Sequence, residues 1–583
     1  MPADPAPSPP PPAQDSSSEE RFAALDEAAR TVADTRQRWA SLAIDERISL
    51  IDRLIPDFLA VAPRWVAAAS AAEGLSPDDG EEWLTGPYLI LRNLRLLRDS
   101  LEEIAHGGHP EIPGAVTTGA HGQVVAEVFP ASLYDRLFYP SVTAEVWMEP
   151  GVTAAELPAT QAVAYRPDAP QEGAAVLVLG AGNVSSIGPM DAFYKLFVEK
   201  KTVLVKAHPV NDYLGPLFEQ GCRSLIEEGF LRVVYGGAEE GAYLCQHPDL
   251  DEVHITGSDR TYEAIVFGTG AEGERRKAES RPRLDKEITA ELGNVSPVIV
   301  VPGPWSAGDF EYQALNLAAM LVNNAGFNCN ATRVIVQPAD WTGRRELLTE
   351  LRRALERVPT RHAYYPGAAE RFDKFIEQHP ETETFGLARG GELPWALVPA
   401  VNPRDEGDIC FRQEAFCGLF AESALETPDD GDGSPAAFLD RAVAFCNETL
   451  WGTLNATLIV HPASLKDAAT AAAVERAVAN LRYGTVAINH WAAVGYGLVV
   501  TPWGAFPGHA PTDIQSGVGV VHNTLMFSRS QKTVVRAPFR AQPKPPWFPG
   551  HRTDAELAEA LTRFEASPSP FRLPGIFWNA LRG

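Results

Sequence analysis

Between residues 172 and 258 short apolar runs alternate with helix-length segments, and this alternation restricts the possible folds more than any other feature of the chain. "AAVLVLG", "KTVLVKAH", "LRVVYGG" and "DEVHITG" read as strands, with "PMDAFYKLFVEK", "LGPLFEQGCRSLIEEG" and "EEGAYLCQHP" as the helices between them. Strands this uniformly apolar are buried on both faces, which calls for a parallel sheet covered by helices. The stretch is expected to be a doubly wound unit, and the molecule an α/β protein.

The flanking sequence extends this scheme. From about Glu20 to Ile104 apolar residues such as Phe22, Leu25, Trp39, Ile51, Leu54 and Phe58 recur at helical spacing. Residues 112 to 170 hold shorter runs, "GQVVAEVF" and "TAEVWMEPG", broken by prolines, which suits strands and an arm. "GTGAEGERRKAESRPRLDK" interleaves acids with bases and reads as a solvated loop rather than a phosphate site. A second α/β region starts at "EITAELGNVSPVIVV" and runs to about residue 500. The opening "MPADPAPSPPPPAQDSSSEE" reads as a disordered proline-rich tail without the pattern of a secretory signal. The closing "PKPPWFPGHRTDAELAEALTRFEASPSPFRLPGIFWNALRG" carries too many aromatics for a free tail and is expected to dock on the body.

At 583 residues the chain exceeds what one hydrophobic core serves, so two or three structural domains are expected. A formal net charge of -26 opposes binding to phosphate backbones and anionic membranes, and no nucleic-acid partner is expected. No apolar stretch approaches the ~20 residues that span a bilayer. The six cysteines are widely spaced, with neither a CxxC pair nor a zinc-finger cluster, which points to a reduced, cytoplasmic setting and no structural metal.

One of those cysteines has unusual neighbours. "NNAGFNCNATRVIV" sets Cys329 between Asn328 and Asn330, after Gly326 and just before an apolar run. Cysteine alone is more often a small buried hydrophobe, but a polar, glycine-loosened segment suits a thiol that meets a ligand. Upstream, "ELGNVSP" places Glu291 at the end of an apolar run, as an ion-pair member or a general base. "LGAGNVSSIGP" joins a strand to a helix, where backbone N–H groups face an anion, yet GxGN is not the GxGxxG dinucleotide fingerprint.

Taken together and in order, Asn183, Lys206 in "VLVKAHP", Gly257 and Ser258 in "HITGS", Glu291, Cys329 and the "EAFCG" segment resemble the NAD(P)-dependent aldehyde dehydrogenase superfamily, as a divergent member, over roughly residues 20 to 520. The resemblance implies an aldehyde-dehydrogenase-like fold: a Rossmann-like cofactor domain, an α/β catalytic domain and an oligomerisation arm. The corresponding ranges are a tail at 1–19, the helical part of the cofactor domain at 20–134 and the arm at 135–171. The cofactor unit follows at 172–292, the catalytic domain at 293–505, and the C-terminal segment with its docked aromatic tail at 506–583. It further implies Cys329 as nucleophile, Asn183 with the Cys329 N–H as oxyanion hole, and Glu291 as general base. Lys206 would bind the adenine ribose, Ser258 after Gly257 the pyrophosphate, and Glu414 with Phe416 the nicotinamide side. The implied activity is oxidation of a small-molecule aldehyde to the acid, in a homodimer or homotetramer. Cys417 stands between Phe416 and Gly418, and Asn294 follows "ELG", both departures from the family pattern. His208 and Pro209 follow Lys206 where an acidic residue would favour NAD, so NAD(P) stays open. Alternatives are a coenzyme-A-acylating aldehyde dehydrogenase or acyl-CoA reductase, a cofactor-free cysteine hydrolase, and a non-catalytic binding or structural protein on the same fold. Phe327, Trp491 and Tyr194 are candidates for an apolar tunnel.

Overall fold

The computed structural model describes residues 18–119, 121–426 and 434–583. Most of the proline-rich opening lies outside these residues. In the first of two large sheets Ala175–Leu179 is central, with Thr202–Lys206 and Leu231–Val234 on one side and Glu252–Gly257 and Glu287–Leu292 on the other, all parallel. Gly517–Val518 closes one edge antiparallel, by pairing with residues 290 and 291. The central strands are buried because helices cover both faces: Ser18–Ala40 packs on one side and Ile187–Phe193 on the other. The helix Ile44–Glu73 stops at Gly74, whose φ of 71° lies in the left-handed region where a side chain would be strained.

One expectation is corrected here. Within the charged segment after residue 267, Gly270–Ala278 is a helix and not a loop. Glu272 pairs with Arg275 at 2.5 Å and Arg276 at 2.8 Å, three and four residues on. The interleaved charges therefore support a solvated helix surface.

The second sheet has eleven strands. Its parallel part runs Thr485–Ile488, Asn455–Ile459, Pro297–Val300, Val334–Pro338, Leu419–Leu425 and Trp395–Val398. Next to Thr485–Ile488 lies Ser530–Arg536, also parallel, followed by Thr143–Met148 and Val124–Phe129 in antiparallel order. The arm strands thus extend the catalytic-domain sheet of their own chain.

After Arg536 the chain crosses back over the body in a proline-rich loop and two helices, Asp554–Ala566 and Leu573–Arg582. The docking is secured by charge as well as by aromatic packing. Glu565, 2% exposed, accepts from Arg92 and Arg95, each at 2.8 Å, and Phe564 packs between Tyr134 and Phe138 with ring centroids 4.9 Å away on each side. No helix among the described residues is long and apolar enough to cross a membrane.

Candidate active site

The two sheets meet so that the carboxyl ends of the first face the amino ends of the second. Asn183 follows the end of Ala175–Leu179, Lys206 ends Thr202–Lys206, Gly257 ends Glu252–Gly257, and Glu291 sits one residue before the end of Glu287–Leu292. Open parallel sheets bind ligands at that edge. From the other sheet, Cys329 precedes Val334–Pro338, and Glu414 and Phe416 precede Leu419–Leu425. The topology therefore brings all eight candidate residues to one junction.

The loop that presents Cys329 is held in a costly conformation. After the helix Ala307–Val322, Asn324, Ala325 and Gly326 take φ values of 52°, 50° and 81° in succession, turning the chain sharply into "FNCN". Gly326 is required twice over: its φ suits glycine, and a Cβ there would lie 2.5 Å from the Cys417 carbonyl oxygen. Neighbouring groups brace the turn. Arg333, buried, donates to the carbonyls of Gly326 at 2.6 Å and Cys417 at 2.7 Å, and so ties the cysteine loop to the Glu414 loop. Asn324 Nδ2 donates to the Asn183 carbonyl at 2.6 Å, and the Tyr364 hydroxyl donates to the same oxygen at 3.0 Å. The Cys329 carbonyl accepts from Ser296 and Asn455, each at 3.3 Å.

Asn183 Nδ2 donates to the Phe327 carbonyl at 2.8 Å, two residues before Cys329. A side-chain amide has two donor hydrogens, so one is still available for an oxygen near the thiol. Burial, reinforced by the charges of Glu291 and Glu414, pushes the Cys329 thiol well above the ordinary thiol range. Glu291, 4% exposed, is pushed up to about 8 by burial and by Asp191, against the stabilising Trp503 Nε1 hydrogen bond of 3.2 Å.

On the nucleotide side the geometry is mixed. Glu414, half-buried, has an Oε1 without a hydrogen-bond partner, and burial raises its carboxyl to about 7 against the pull of Arg333. Gly293 lets it approach, since a Cβ on that residue would collide with Glu414 Oε2. The Phe416 ring lies 6.0 Å from Phe327 and 5.0 Å from Tyr365. Lys206 is buried, which lowers its amine, with Glu240 and Asp212 opposing. Ser258 is exposed and its hydroxyl accepts from the Thr261 N–H at 3.2 Å, capping the helix Asp259–Val266. His208 lies over Gly182, and burial with the Lys206 charge pushes its imidazole down to about 4, so it is neutral.

A cavity of about 700 Å³ opens on Cys329. Of the three aromatic candidates only Trp491 lines it; Phe327 and Tyr194 are buried in the cores. The residues that sequence reasoning missed include Trp503, Asp191 and Tyr364, which act on Glu291 or on the loop from elsewhere in the chain, and Arg333, which lies in the loop segment itself. Trp503 stands in "TPWGAFPGHAP", a segment whose weak likeness to the family pattern hid it.

Residues 202–364 match the family model described as the Aldehyde dehydrogenase family. The chain is 27% identical over 340 residues to 4-trimethylaminobutyraldehyde dehydrogenase A of Danio rerio, a match that covers 53% of this chain and 56% of that protein. It is 34% identical over 113 residues to 4-trimethylaminobutyraldehyde dehydrogenase of Homo sapiens, covering 19% and 20%. The chain thus spans little more than half of the first of these relatives and a fifth of the second. Among solved structures, the NADP-dependent glyceraldehyde-3-phosphate dehydrogenase from Bacillus halodurans C-125, complexed with NADP, superposes with a TM-score of 0.58 at 16% identity over 88% of this chain and 91% of that one. Aldehyde dehydrogenase C from Pseudomonas syringae, complexed with NAD+ and octanal, gives 0.60 at 16% identity over 90% of each. At such identity the superpositions speak for the fold. Residues 202–364 thus carry a segment similar to the aldehyde dehydrogenase family, inside a chain that shares the fold of these solved aldehyde dehydrogenases.

Proposed function

We propose that the chain oxidises an aldehyde to the carboxylic acid, with NAD or NADP as acceptor, through a thioester on Cys329. The observation that carries this reading is the convergence of Cys329, the buried Glu291 carboxyl and Asn183, whose side-chain amide bonds the carbonyl two residues before the cysteine, at the junction of the two sheets. A nicotinamide dinucleotide fits the residues present: the unpartnered Glu414 Oε1, in a cradle that a Cβ on Gly293 would fill, is a ready acceptor for a ribose hydroxyl. Lys206, Gly257 with Ser258, and Phe416 would complete its site. Bound there, it supplies the hydride acceptor.

The chain's own residues supply the rest. The thiol gives up its proton to solvent, and the thiolate adds to the aldehyde carbon, forming a C–S bond and an alkoxide. The Cys329 N–H and the free amide hydrogen of Asn183 stabilise that oxygen; such donors contribute roughly 3 to 4 kcal/mol each. Hydride loss from the same carbon leaves a thioester. Glu291 then removes a proton from water, whose oxygen attacks the thioester carbon; the C–S bond breaks, Glu291 returns the proton to the departing thiolate, and the acid is released.

A panel of aldehydes followed at the absorbance of reduced nicotinamide, with and without coenzyme A, tests this. Oxidation without coenzyme A is expected. No reduction of NAD or NADP by any aldehyde overturns the reading, and strict dependence on coenzyme A replaces water with a thiol as acceptor.

A further inference from the structure

The cavity on Cys329 is not walled by the two domains alone. Leu84, Tyr88 and Val494 of the body line one part of it, while Trp547, Phe548, Leu557, Leu561 and Ile576 of the C-terminal segment line another. The segment reaches close to the reactive sulfur. Trp491 Nε1 donates to the carbonyl of Asn330, the residue after Cys329, at 2.7 Å, and the ring of its neighbour His490 packs on Trp547 with centroids 5.4 Å apart.

This wall is fixed in place. Arg92, 1% exposed, bonds both Asp135 at 3.0 Å and Glu565 at 2.8 Å, and its Nε donates at 3.2 Å to the carbonyl of Leu498, itself on the cavity. At the start of the same tail helix, Asp554 Oδ2 accepts from the Gly80 N–H at 2.8 Å.

Several polar groups around the cavity are engaged with one another, whereas Asn330 Oδ1 and His490 Nδ1 are buried without a hydrogen-bond partner. Glu81 pairs with Arg361 at 2.9 Å and accepts from Asn323 and from the Asn324 N–H, each at 3.0 Å. Asp79 accepts from the Glu81 N–H at 2.9 Å and Lys544 donates to the Gly550 carbonyl at 2.9 Å. His490 is neutral, its imidazole pushed down to about 4 by burial. No buried carboxylate among these is free to face a cationic substrate. Most of the remaining surface is aliphatic and aromatic, with Ser76, Asp78, Thr85, Thr360 and Gln542 among its polar residues.

We propose that residues 537–583 form the specificity wall of the active-site tunnel, and that the substrate is an aldehyde with a long apolar chain, on the order of ten carbons, since a cavity of this size encloses a drug-sized ligand. The assignment rests on the aldehyde-oxidising reading above and adds to it the substrate class.

Two measurements on the full chain test the proposal and separate its failure from that of the parent reading. The first is kcat/KM for unbranched alkanals from two to twelve carbons. A rise of about fourfold per methylene is expected, the equilibrium factor for burying one CH₂, until the chain fills the tunnel. Leu561→Trp, which fills space at the tail wall, shifts the optimum to shorter aldehydes, and Trp547→Ala lowers the rate for decanal about tenfold while acetaldehyde changes less than twofold. The second is binding of hexanoate, octanoate and decanoate to Cys329→Ala, read by tryptophan fluorescence without turnover, where affinity rises with length. A flat profile in either measurement overturns the proposal, as does a higher kcat/KM for 4-trimethylaminobutyraldehyde than for hexanal, or an equal loss for every aldehyde in both tail variants. Length-dependent carboxylate binding without any oxidation keeps the tunnel assignment and removes the catalytic reading.

Discussion

In the proposed reaction Cys329 and Glu291 are single side chains in a dry environment on which both half-reactions would depend. Replacing Cys329 by Ala removes the atom that bonds substrate but no nucleotide contact, so aldehyde oxidation is expected to fall below a few per cent while NAD(P) binding, followed by calorimetry, persists. Glu291→Gln keeps the size and the Trp503 hydrogen bond but cannot accept a proton from water. A rapid-mixing experiment on that variant is expected to show a burst of reduced nicotinamide followed by a stall, because acylation outlives the loss of the base. The pH behaviour follows from the direction of its shift. Glu291 moves from an ordinary 4.5 to about 8 in the folded chain, so at intermediate pH the folded state holds a proton that the unfolded state has lost. Its contribution to stability is full below 4.5 and declines as pH rises through that window. The carboxylate needed for deacylation appears as pH passes about 8, and the steady-state rate is expected to climb there. A rate independent of pH between 6 and 9 contradicts that assignment.

Among the elements, the turn Asn323–Gly326 and the helix Asp554–Ala566 have the most to lose. Gly326→Ala adds a Cβ where φ is 81° and where the Cys417 carbonyl is 2.5 Å away. Strain of this kind costs roughly 1–3 kcal/mol. The turn aims Cys329, and a 1 Å misplacement costs about 10²-fold in rate, so a loss of that order in kcat/KM is expected with a modest loss in denaturant midpoint. Glu565→Gln leaves Arg92 buried with one carboxylate fewer. Breaking one partner of such a buried network costs roughly 3–5 kcal/mol, which urea unfolding followed by far-UV circular dichroism measures. Of these two elements, "NNAGFNC" announced itself by composition. The ion network of the tail helix did not, because Arg92 and Glu565 are 473 residues apart and nothing in either local sequence names the other.

At the scale of the molecule the arm is the decisive arrangement. Thr533 of the C-terminal strand Ser530–Arg536 faces Thr485 of the same chain, and Val146 of the arm strand Thr143–Met148 faces Thr533 in turn. An arm strand exposed at a sheet edge invites pairing with a second chain, and here that edge is already occupied from within. The same pairs made between two chains would give a swapped dimer. Light scattering coupled to size exclusion is expected to return the 63.1 kDa of one chain; twice or four times that mass at micromolar concentration shows instead that pairing is made between chains, as the family resemblance implies.

The apolar runs from residue 172 onward specified a parallel, helix-covered sheet because burial on both faces demands uninterrupted apolar strands, a condition met within each seven-residue segment. The roles proposed for Asn183, Lys206, Glu291 and Cys329 came from a family resemblance, carried by short motifs at or near strand ends that are legible locally. Sequence could not say that the sheet joins its own arm, that Trp503 and Asp191 converge on Glu291, or that a tail ending in "GIFWNALRG" walls the tunnel. Those outcomes depend on pairings between residues hundreds of positions apart, whose free energies are set by mutual burial and by compensation of charge, and neither exists until the chain has closed around them.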